Sequence, residues 1–441
     1  MLTWVLLPAI VVGAAFLMGR RQQDRAFTIA MVAYAVLVSL GAILSINDSV
    51  LGSPWHTPYL TGSDGEGYFE QAQLLVREGI TNFQTAIRSN YLGYQIFLAI
   101  LFSVFGTDLA VGIAANLLIL LLSITCLYRA TLLLTGSPRA ARLAAVAFML
   151  TTANVFYALV LLKEPALGLA FALVLLSVTK AITDDRIGPR AALYFLLALA
   201  VIITMRATVL LFLVILFACT ARLLIKRRAH ALVGVIGLLA LAAPVAQNFT
   251  VNELSSDFLA REVTANTVII NRFEAGDLDV SGIAGQLGGA YVRQPFPVKI
   301  ALFPLPTAIQ ILLPFDFWSG QFLEDHFSIF FFRNLNLIWL LVVAPWFLFA
   351  VVNIRKTGRP LLSRFLFAGI IYYVAIAVIY GGLIPRYVAP ALYFVYPAIG
   401  LWWARARENV ADKARVARFF MHYYAFFTLA GLGYMAVQIM R

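Results

Sequence analysis

The chain has 441 residues, of which 62% are hydrophobic and only 12% are charged, and its mean hydropathy is +0.88. Soluble domains carry about 25% charged residues, so this composition excludes a soluble protein and predicts an all-α protein that crosses the membrane many times. The net charge of +12 does not indicate nucleic-acid binding, because basic loops on the inner side of a membrane account for it. Both cysteines lie in apolar runs, which excludes a disulfide framework and a cysteine-based metal site.

We interpret residues 1–441 as one integral membrane domain with about 11–13 membrane segments, since each span needs roughly 20 apolar residues. The predicted helices are 2–18, 27–47, 91–106, 109–134, 140–162, 165–182, 191–205, 207–225, 231–248, 327–353, 361–380, 387–404 and 417–439. The first helix is followed by Arg20-Arg21 and preceded by no basic residue, so we expect a retained helix with its N-terminus outside. The run at 91–106 is short for a span; it is either a re-entrant or steeply packed half-helix, or another helix is wrongly assigned.

The distribution of charge predicts the topology. Six loops hold about two thirds of the 33 Lys and Arg residues and are expected in the cytoplasm: 20–25, 129–142, 180–190, 222–228, 353–364 and 404–418. Two long hydrophilic segments, 48–90 and 249–326, then lie outside, and we expect them to carry juxtamembrane helices; the second ends in an amphipathic interfacial stretch. The basic runs Lys226-Arg227-Arg228 and Arg405-Ala406-Arg407 are expected to contact anionic membrane lipids.

The first outer segment contains an acidic run with interspersed glycines, Ser63 to Ala72. A carboxylate held at the membrane surface can act as a general base on an acceptor hydroxyl or amine, which makes Asp64 and Glu66 the candidate catalytic residues. The structural alternative is that Asp64 caps a helix starting near Tyr68, with the acidic side chains solvated.

Three basic residues on the predicted outer side oppose the charge rule: Lys163, Arg206 and Arg386. A helix start explains the sequence Lys163-Glu164-Pro165, and a tight turn with a snorkelling guanidinium explains Arg206. However, ionisable groups at such depth are candidate functional residues, and arginine suits phosphate. The sequence therefore predicts a site where an anionic head group meets a carboxylate base.

No metal or cofactor is clearly indicated. Glu324, Asp325 and His326 offer ligands for a divalent metal, but an exposed polar rim explains them as well. Walker A, Rossmann, HExxH and GxSxG motifs do not occur in the sequence.

The acidic run is part of a longer pattern. Asp64, Tyr68 and Ala72 are spaced Asp-x3-Tyr-x3-Ala, followed by Leu75, Gly79, Tyr91-Leu92-Gly93-Tyr94 and an aliphatic run from Leu101 to Gly106. Near the C-terminus stands Arg386-Tyr387-Val388-Ala389-Pro390. This pattern resembles the GT-C superfamily of integral membrane glycosyltransferases, in particular the branch of the protein mannosyltransferases and the aminoarabinose lipid A transferases. The likeness covers residues 60–180 and, more faintly, 380–403.

The resemblance implies a GT-C-like fold and inverting transfer of a sugar from a polyprenyl-phosphate donor to a lipid-linked glycan, polysaccharide or protein. It makes Asp64 the base, with Glu66 as the second candidate, because the family's adjacent Asp-Glu pair is split here by Gly65. The outer cations Lys163, Arg206 and Arg386 become ligands of the lipid phosphate. The other predicted substrate-binding residues are Tyr68, Glu70, Glu164 and Tyr387. The implied setting is cell-envelope polysaccharide biosynthesis in a bacterial inner membrane, with the active site facing the periplasm or exterior.

Two other functions stay open. A glycan polymerase or ligase of the O-antigen type also uses outer arginines and a long outer loop, so Arg272 and Arg293 would outweigh Asp64. A lipid-linked sugar transporter or flippase would place ionisable residues near the bilayer midplane, often in repeated halves. The charges singled out here lie at helix ends on one face and no repeat is visible, which disfavours the transporter.

Overall fold

The computed structural model describes residues 2–46, 64–79, 92–184, 188–206, 209–226, 294–302, 304, 338–380 and 389–439. Within these ranges all regular structure is helical and no β-strand occurs, as the composition predicts. The predicted helix 231–248, almost all of the outer segment 249–326, and both Arg386 and Tyr387 lie outside the described residues.

The helices follow the apolar runs of the sequence closely. In chain order they are α1 (Leu2–Arg20), α2 (Arg25–Ile46), α3 (Asp64–Glu78), α4 (Leu92–Phe105), α5 (Leu109–Thr135), α6 (Pro138–Met149), α7 (Ala153–Leu159), α8 (Glu164–Thr183), α9 (Pro189–Met205), α10 (Leu210–Lys226), α11 (Phe296–Leu302), α12 (Ala344–Val352), α13 (Pro360–Tyr380), α14 (Ala389–Leu392), α15 (Tyr396–Glu408) and α16 (Val410–Ile439). A π-helical turn, Trp339–Val343, leads directly into α12.

Three of the described helices are long and apolar enough to cross a membrane: Arg25–Ile43 within α2, α5 and α8. The bent pair α6 and α7 adds a fourth if it forms one broken span. Shorter apolar stretches of 10–17 residues occur in α1, α4, α9, α10, α12 and α13. The protein is therefore an all-helical membrane protein, with three or four full-length spans among the described residues where the whole sequence predicts about 11–13 segments.

The core lies around α8, which packs against α5 and α9, while α5 also contacts α1 and α6. The outer surface of α1 and α2 also carries exposed apolar side chains. Leu17, Ile29 and Leu37 are 60%, 60% and 67% exposed, which suits a surface that faces lipid rather than water.

Four of the predicted cytoplasmic loops lie at one end of the bundle, where ion pairs and a hydrogen bond join them. Asp24 pairs with Arg142 at 3.3 Å, and Arg139 pairs with Glu408 at 3.0 Å. Arg405 donates to the carbonyl oxygen of Thr357 at 2.8 Å. The loops 20–25, 129–142, 353–364 and 404–418 thus meet each other, as a shared side of the membrane requires. We call this the basic end.

Two predicted helices are broken in the structure. The predicted helix 140–162 is divided into α6 and α7 at residues 150–152, with a bend of 56°, and the predicted helix 387–404 is interrupted between α14 and α15. The two breaks contact each other, because the hydroxyl of Tyr396 donates to Oγ1 of Thr151 at 2.9 Å. Long apolar runs flank the first break on both sides, so hydropathy averaged over a whole span could not locate it. The Thr151-Thr152 pair was the available signal, since hydroxyl side chains compete for helix carbonyls.

The segment 91–106 forms α4, a helix of 14 residues. About 20 residues are needed to span a bilayer, so α4 is too short to cross in a straight line. It packs against α3, α5 and α9. Gly93 permits one of these contacts, because a Cβ there would lie 2.6 Å from Cβ of Thr204 on α9. The structure thus confirms a short, packed helix here, and its path as a half-helix in the membrane stays a prediction.

Candidate functional site

Four of the predicted site residues come together at the end of the bundle opposite the basic end: Tyr68, Lys163, Glu164 and Arg206. They belong to three segments that are distant in sequence. Tyr68 is on α3, Lys163 and Glu164 form the junction before α8, and Arg206 directly follows α9. Chain direction explains the meeting, because α8 starts and α9 finishes at the same end of the bundle.

The centre of the site is a buried ion pair. Nη2 of Arg206 lies 3.1 Å from Oε1 of Glu164, and each side chain is only 4% exposed. Glu164 is the first residue of α8 and is followed by Pro165, so its carboxylate also lies at the positive end of the helix dipole. Two charges removed from water in this way depend strongly on each other. The pair therefore fixes the guanidinium in one position.

Lys163 is also buried, with 1% of its surface exposed. Its Nζ lies 5.7 Å from the centre of the Tyr68 ring, within range of a cation–π interaction. The Tyr68 ring in turn meets the edge of Tyr94 on α4, with ring centres 5.3 Å apart. The acidic segment is thereby fixed to the Lys163 junction through an aromatic side chain.

Asn116, in the first third of α5, holds this junction through hydrogen bonds. Its side chain is fully buried; it accepts a hydrogen bond from the Tyr94 hydroxyl at 3.1 Å and donates to the carbonyl oxygens of Ala158 and Leu162 at 3.2 and 3.1 Å. The Ala158 carbonyl lies in the last turn of α7, and the Leu162 carbonyl lies in the connection to α8, where Leu161 has a positive φ of 53°. Asn116 was not among the predicted site residues. A lone asparagine in the apolar run 109–135 was the signal for it.

We expect Asn116→Asp to lower the apparent melting temperature of the purified protein markedly. The carboxylate can still accept from Tyr94, but it cannot donate to the two carbonyls, and leaving such groups unsatisfied costs at least about 2 kcal/mol. The control is Asn409→Asp: this exposed asparagine only accepts, from the N–H of Ala411 at 2.9 Å, as an aspartate also can. Equal melting temperatures for the two variants would contradict the role given to Asn116.

A small cavity of about 10 Å³ lies beside Glu164, roughly the room that one water molecule needs. Its lining comprises Leu120, Asn154, Tyr157, Glu164, Pro165, Gly168, Ala389 and Tyr393. Within the described part of the chain, Oε2 of Glu164 has no hydrogen-bond partner. Ala389, the first described residue after position 380, lies in this lining, and it follows Arg386 by three residues in the sequence.

The acidic run forms the start of α3, with Asp64 as its first helical residue. The structural alternative, in which Asp64 caps a helix starting near Tyr68, is therefore wrong in its bounds, because α3 already includes Asp64. Glu66 is half-buried and Glu70 is exposed on the same helix.

Helical packing accounts for part of the spacing on which the family resemblance rests. Tyr68, Ala72 and Leu75 are 4%, 0% and 1% exposed, and their i, i+4, i+7 spacing forms one buried face of α3. The spacing of Tyr68, Ala72 and Leu75 within that pattern thus has a packing explanation that applies whatever the protein does.

Among the residues that the structure describes, no three His, Cys, Asp or Glu side chains form a group that could hold a metal ion. The predicted candidates Glu324, Asp325 and His326 lie outside those residues.

In comparisons with known proteins, no protein-family model, no curated protein and no solved structure matches the chain.

Proposed function

We propose that the protein is a membrane glycosyltransferase that moves a sugar from a polyprenyl-phosphate donor to a lipid-linked glycan, polysaccharide or protein acceptor. The observation that carries the proposal is the convergence of two buried cations, Lys163 and Arg206, with the acidic helix α3. Cations buried beside a membrane-embedded bundle are costly, and binding a lipid phosphate is a function that repays the cost. A phosphate leaving group also needs its developing charge stabilised.

The residues take distinct roles in this proposal. Asp64 removes a proton from the acceptor, with Glu66 as the second candidate. Arg206 and Lys163 bind the donor phosphate. Arg386, three residues before the cavity-lining Ala389 in the sequence, binds it as well in this proposal. A guanidinium has five N–H donors, and the contact through Nη2 to Glu164 engages one of its nitrogens while orienting the rest.

Binding of the donor involves a local rearrangement in this proposal. Tyr68 covers the amino group of Lys163, and Lys163 and Arg206 are 1% and 5% exposed. The phosphate therefore displaces the Tyr68 ring from Lys163 and takes its place. Because Tyr68 is on the same helix as Asp64, this displacement also moves the proposed base.

The finer topology belongs to the same proposal. The site faces the periplasm or exterior of a bacterial inner membrane in a GT-C-like arrangement, with the basic end in the cytoplasm. The basic loops and the Lys163–Arg206 site lie at opposite ends of the bundle. This supports the orientation, since basic loops favour the cytoplasmic side.

The test uses purified protein, a panel of polyprenyl-phosphate sugars and a membrane glycolipid extract as acceptor. We expect the wild type to release free polyprenyl phosphate from one donor and Asp64→Asn to release it roughly 10²- to 10⁴-fold more slowly, the usual contribution of a general base. Glu78→Gln, an exposed residue at the far end of α3, is the control and retains the wild-type rate.

Other outcomes distinguish the alternatives. Release that persists in Asp64→Asn and falls in Glu66→Gln keeps the transferase and moves the base. No release from any donor contradicts the transferase and favours the O-antigen type of polymerase or ligase, or a lipid-linked sugar flippase.

A further inference from the structure

A second feature of the molecule lies at the basic end, far from the Lys163–Arg206 site. A groove of about 710 Å³ runs along the hairpin of α1 and α2, and its lining comprises Phe16, Arg20, Gln23, Asp24, Arg25, Thr28, Ile29, Val32 and Ala33. The helix that forms one wall, α2, is long and apolar enough to cross a membrane. The groove therefore extends from the end of a membrane helix along its apolar side.

The two helices are fixed to each other at the closed end of the hairpin. A Cβ on Gly19 would lie 2.8 Å from Cα of Thr28, so α1 and α2 touch there with no room for a side chain. The connecting turn contains Gln23 with a positive φ of 57°. The groove thus has a defined shape set by the backbone contact.

The walls of the groove are apolar and open outward. Phe16 and Ile29 are 47% and 60% exposed, although both are large hydrophobic side chains. From Arg25 to Ala33 the α2 wall covers nine residues, a rise of about 12 Å along the helix axis. That length suits an extended hydrocarbon chain entering the bilayer from its boundary.

The mouth of the groove is cationic. Arg20 and Arg25 are exposed, and neither pairs with a carboxylate in the described part of the chain. Asp24, the acidic residue of the groove, is already engaged: it accepts from the N–H of Phe27 at 3.1 Å and the hydroxyl of Tyr128 at 2.9 Å, and it pairs with Arg142. Two arginines without carboxylate partners therefore face the groove mouth, a charge complementary to an anionic head group.

We propose that this groove binds an anionic phospholipid, with its phosphate between Arg20 and Arg25 and one acyl chain along Phe16, Ile29 and Val32. The site is independent of the proposed transferase activity. The two arginines select the anionic head group. The apolar wall contacts the acyl chain, a contact that a lipid attracted only to a basic surface would not make.

The experiment counts lipids bound to the full-length detergent-solubilised protein by native mass spectrometry, during titration with dioleoyl phosphatidylglycerol or dioleoyl phosphatidylcholine. We expect one phosphatidylglycerol to bind more tightly than phosphatidylcholine. The double variant Arg20→Gln/Arg25→Gln should bind it about 30-fold more weakly, at roughly fivefold for each arginine near the head group. Lys413→Gln/Arg418→Gln, an equal loss of charge at exposed positions outside both the groove and the basic runs, should leave the affinity unchanged.

A second pair of variants tests the apolar wall without altering charge. Ile29→Ser lies in the groove and Leu17→Ser does not, and both side chains are 60% exposed. The proposal requires Ile29→Ser alone to weaken phosphatidylglycerol binding. Equal affinities for the two phospholipids, equal effects of the two serine variants, or displacement of phosphatidylglycerol by polyprenyl phosphate at lower concentration would each overturn it.

Discussion

Arg206→Met is expected to give one of the largest losses of stability of any single substitution in the described chain. It leaves Glu164 as a buried carboxylate without its counter-ion, and removal of one partner of a buried ion pair costs about 3–5 kcal/mol. Glu164→Leu should cost a similar amount for the converse reason. The apparent melting temperature and the yield of monodisperse protein in detergent measure the effect.

The double variant Glu164→Leu/Arg206→Met separates the ion pair's contribution to stability from the proposed role of Arg206 in binding the donor. Replacing both charges by apolar side chains of similar size is commonly near neutral, so we expect most of the lost stability to return. In the proposed transferase the double variant is folded but releases no polyprenyl phosphate, because Arg206 no longer binds the donor. A double variant as unstable as either single one would show that the two charges do not act as a pair.

An exposed ion pair provides the matched control. Arg139 and Glu408 lie 3.0 Å apart, close to the 3.1 Å of Arg206 and Glu164, but their side chains are 50% and 51% exposed. Surface pairs contribute about 0–1 kcal/mol, so Arg139→Met should barely alter the melting temperature. Similar distances with opposite burial therefore predict very different costs.

Gly400→Ala is expected to destabilise the bundle, against the usual direction of this substitution. An added Cβ would collide with the carbonyl oxygen of Ala140 and would lie 2.7 Å from the backbone nitrogen of Ala144. Backbone atoms of α6 cannot swing aside as a side chain can, so α15 and α6 must separate. Overpacking of this kind costs about 1–3 kcal/mol and sometimes more, which the melting temperature in detergent would record.

Gly13→Ala is the control for helix propensity. Nothing lies within 4 Å of a Cβ at Gly13, which is on the exposed side of α1. Replacing glycine by alanine inside a helix stabilises by roughly 0.5–1 kcal/mol where space permits. The two substitutions are chemically identical, and we expect opposite signs. A rise in melting temperature for Gly400→Ala would mean that α6 and α15 are not in backbone contact.

The sequence by itself determined the class of the fold and most of its helices. Apolar runs place α1, α2, α5 and α8 within a few residues of their observed bounds, because burial in lipid or in a bundle depends on hydropathy over a whole turn. The charge pattern also anticipated which loops meet at the basic end. Lys163 and Arg206 were recognisable as candidates because each places a cation where the charge rule predicts none.

Only the tertiary structure decided what those residues contact. The pairing of Glu164 with Arg206 joins positions 42 residues apart, and no local pattern encodes such a distance. The role of Asn116 likewise depends on two carbonyl groups that lie 42 and 46 residues downstream. At the break between α6 and α7, Thr151 accepts a hydrogen bond from Tyr396 of another helix, 245 residues away in the sequence. Hydropathy is a property of single residues, whereas an ion pair, a helix break and a backbone contact each depend on a second segment whose position the fold supplies.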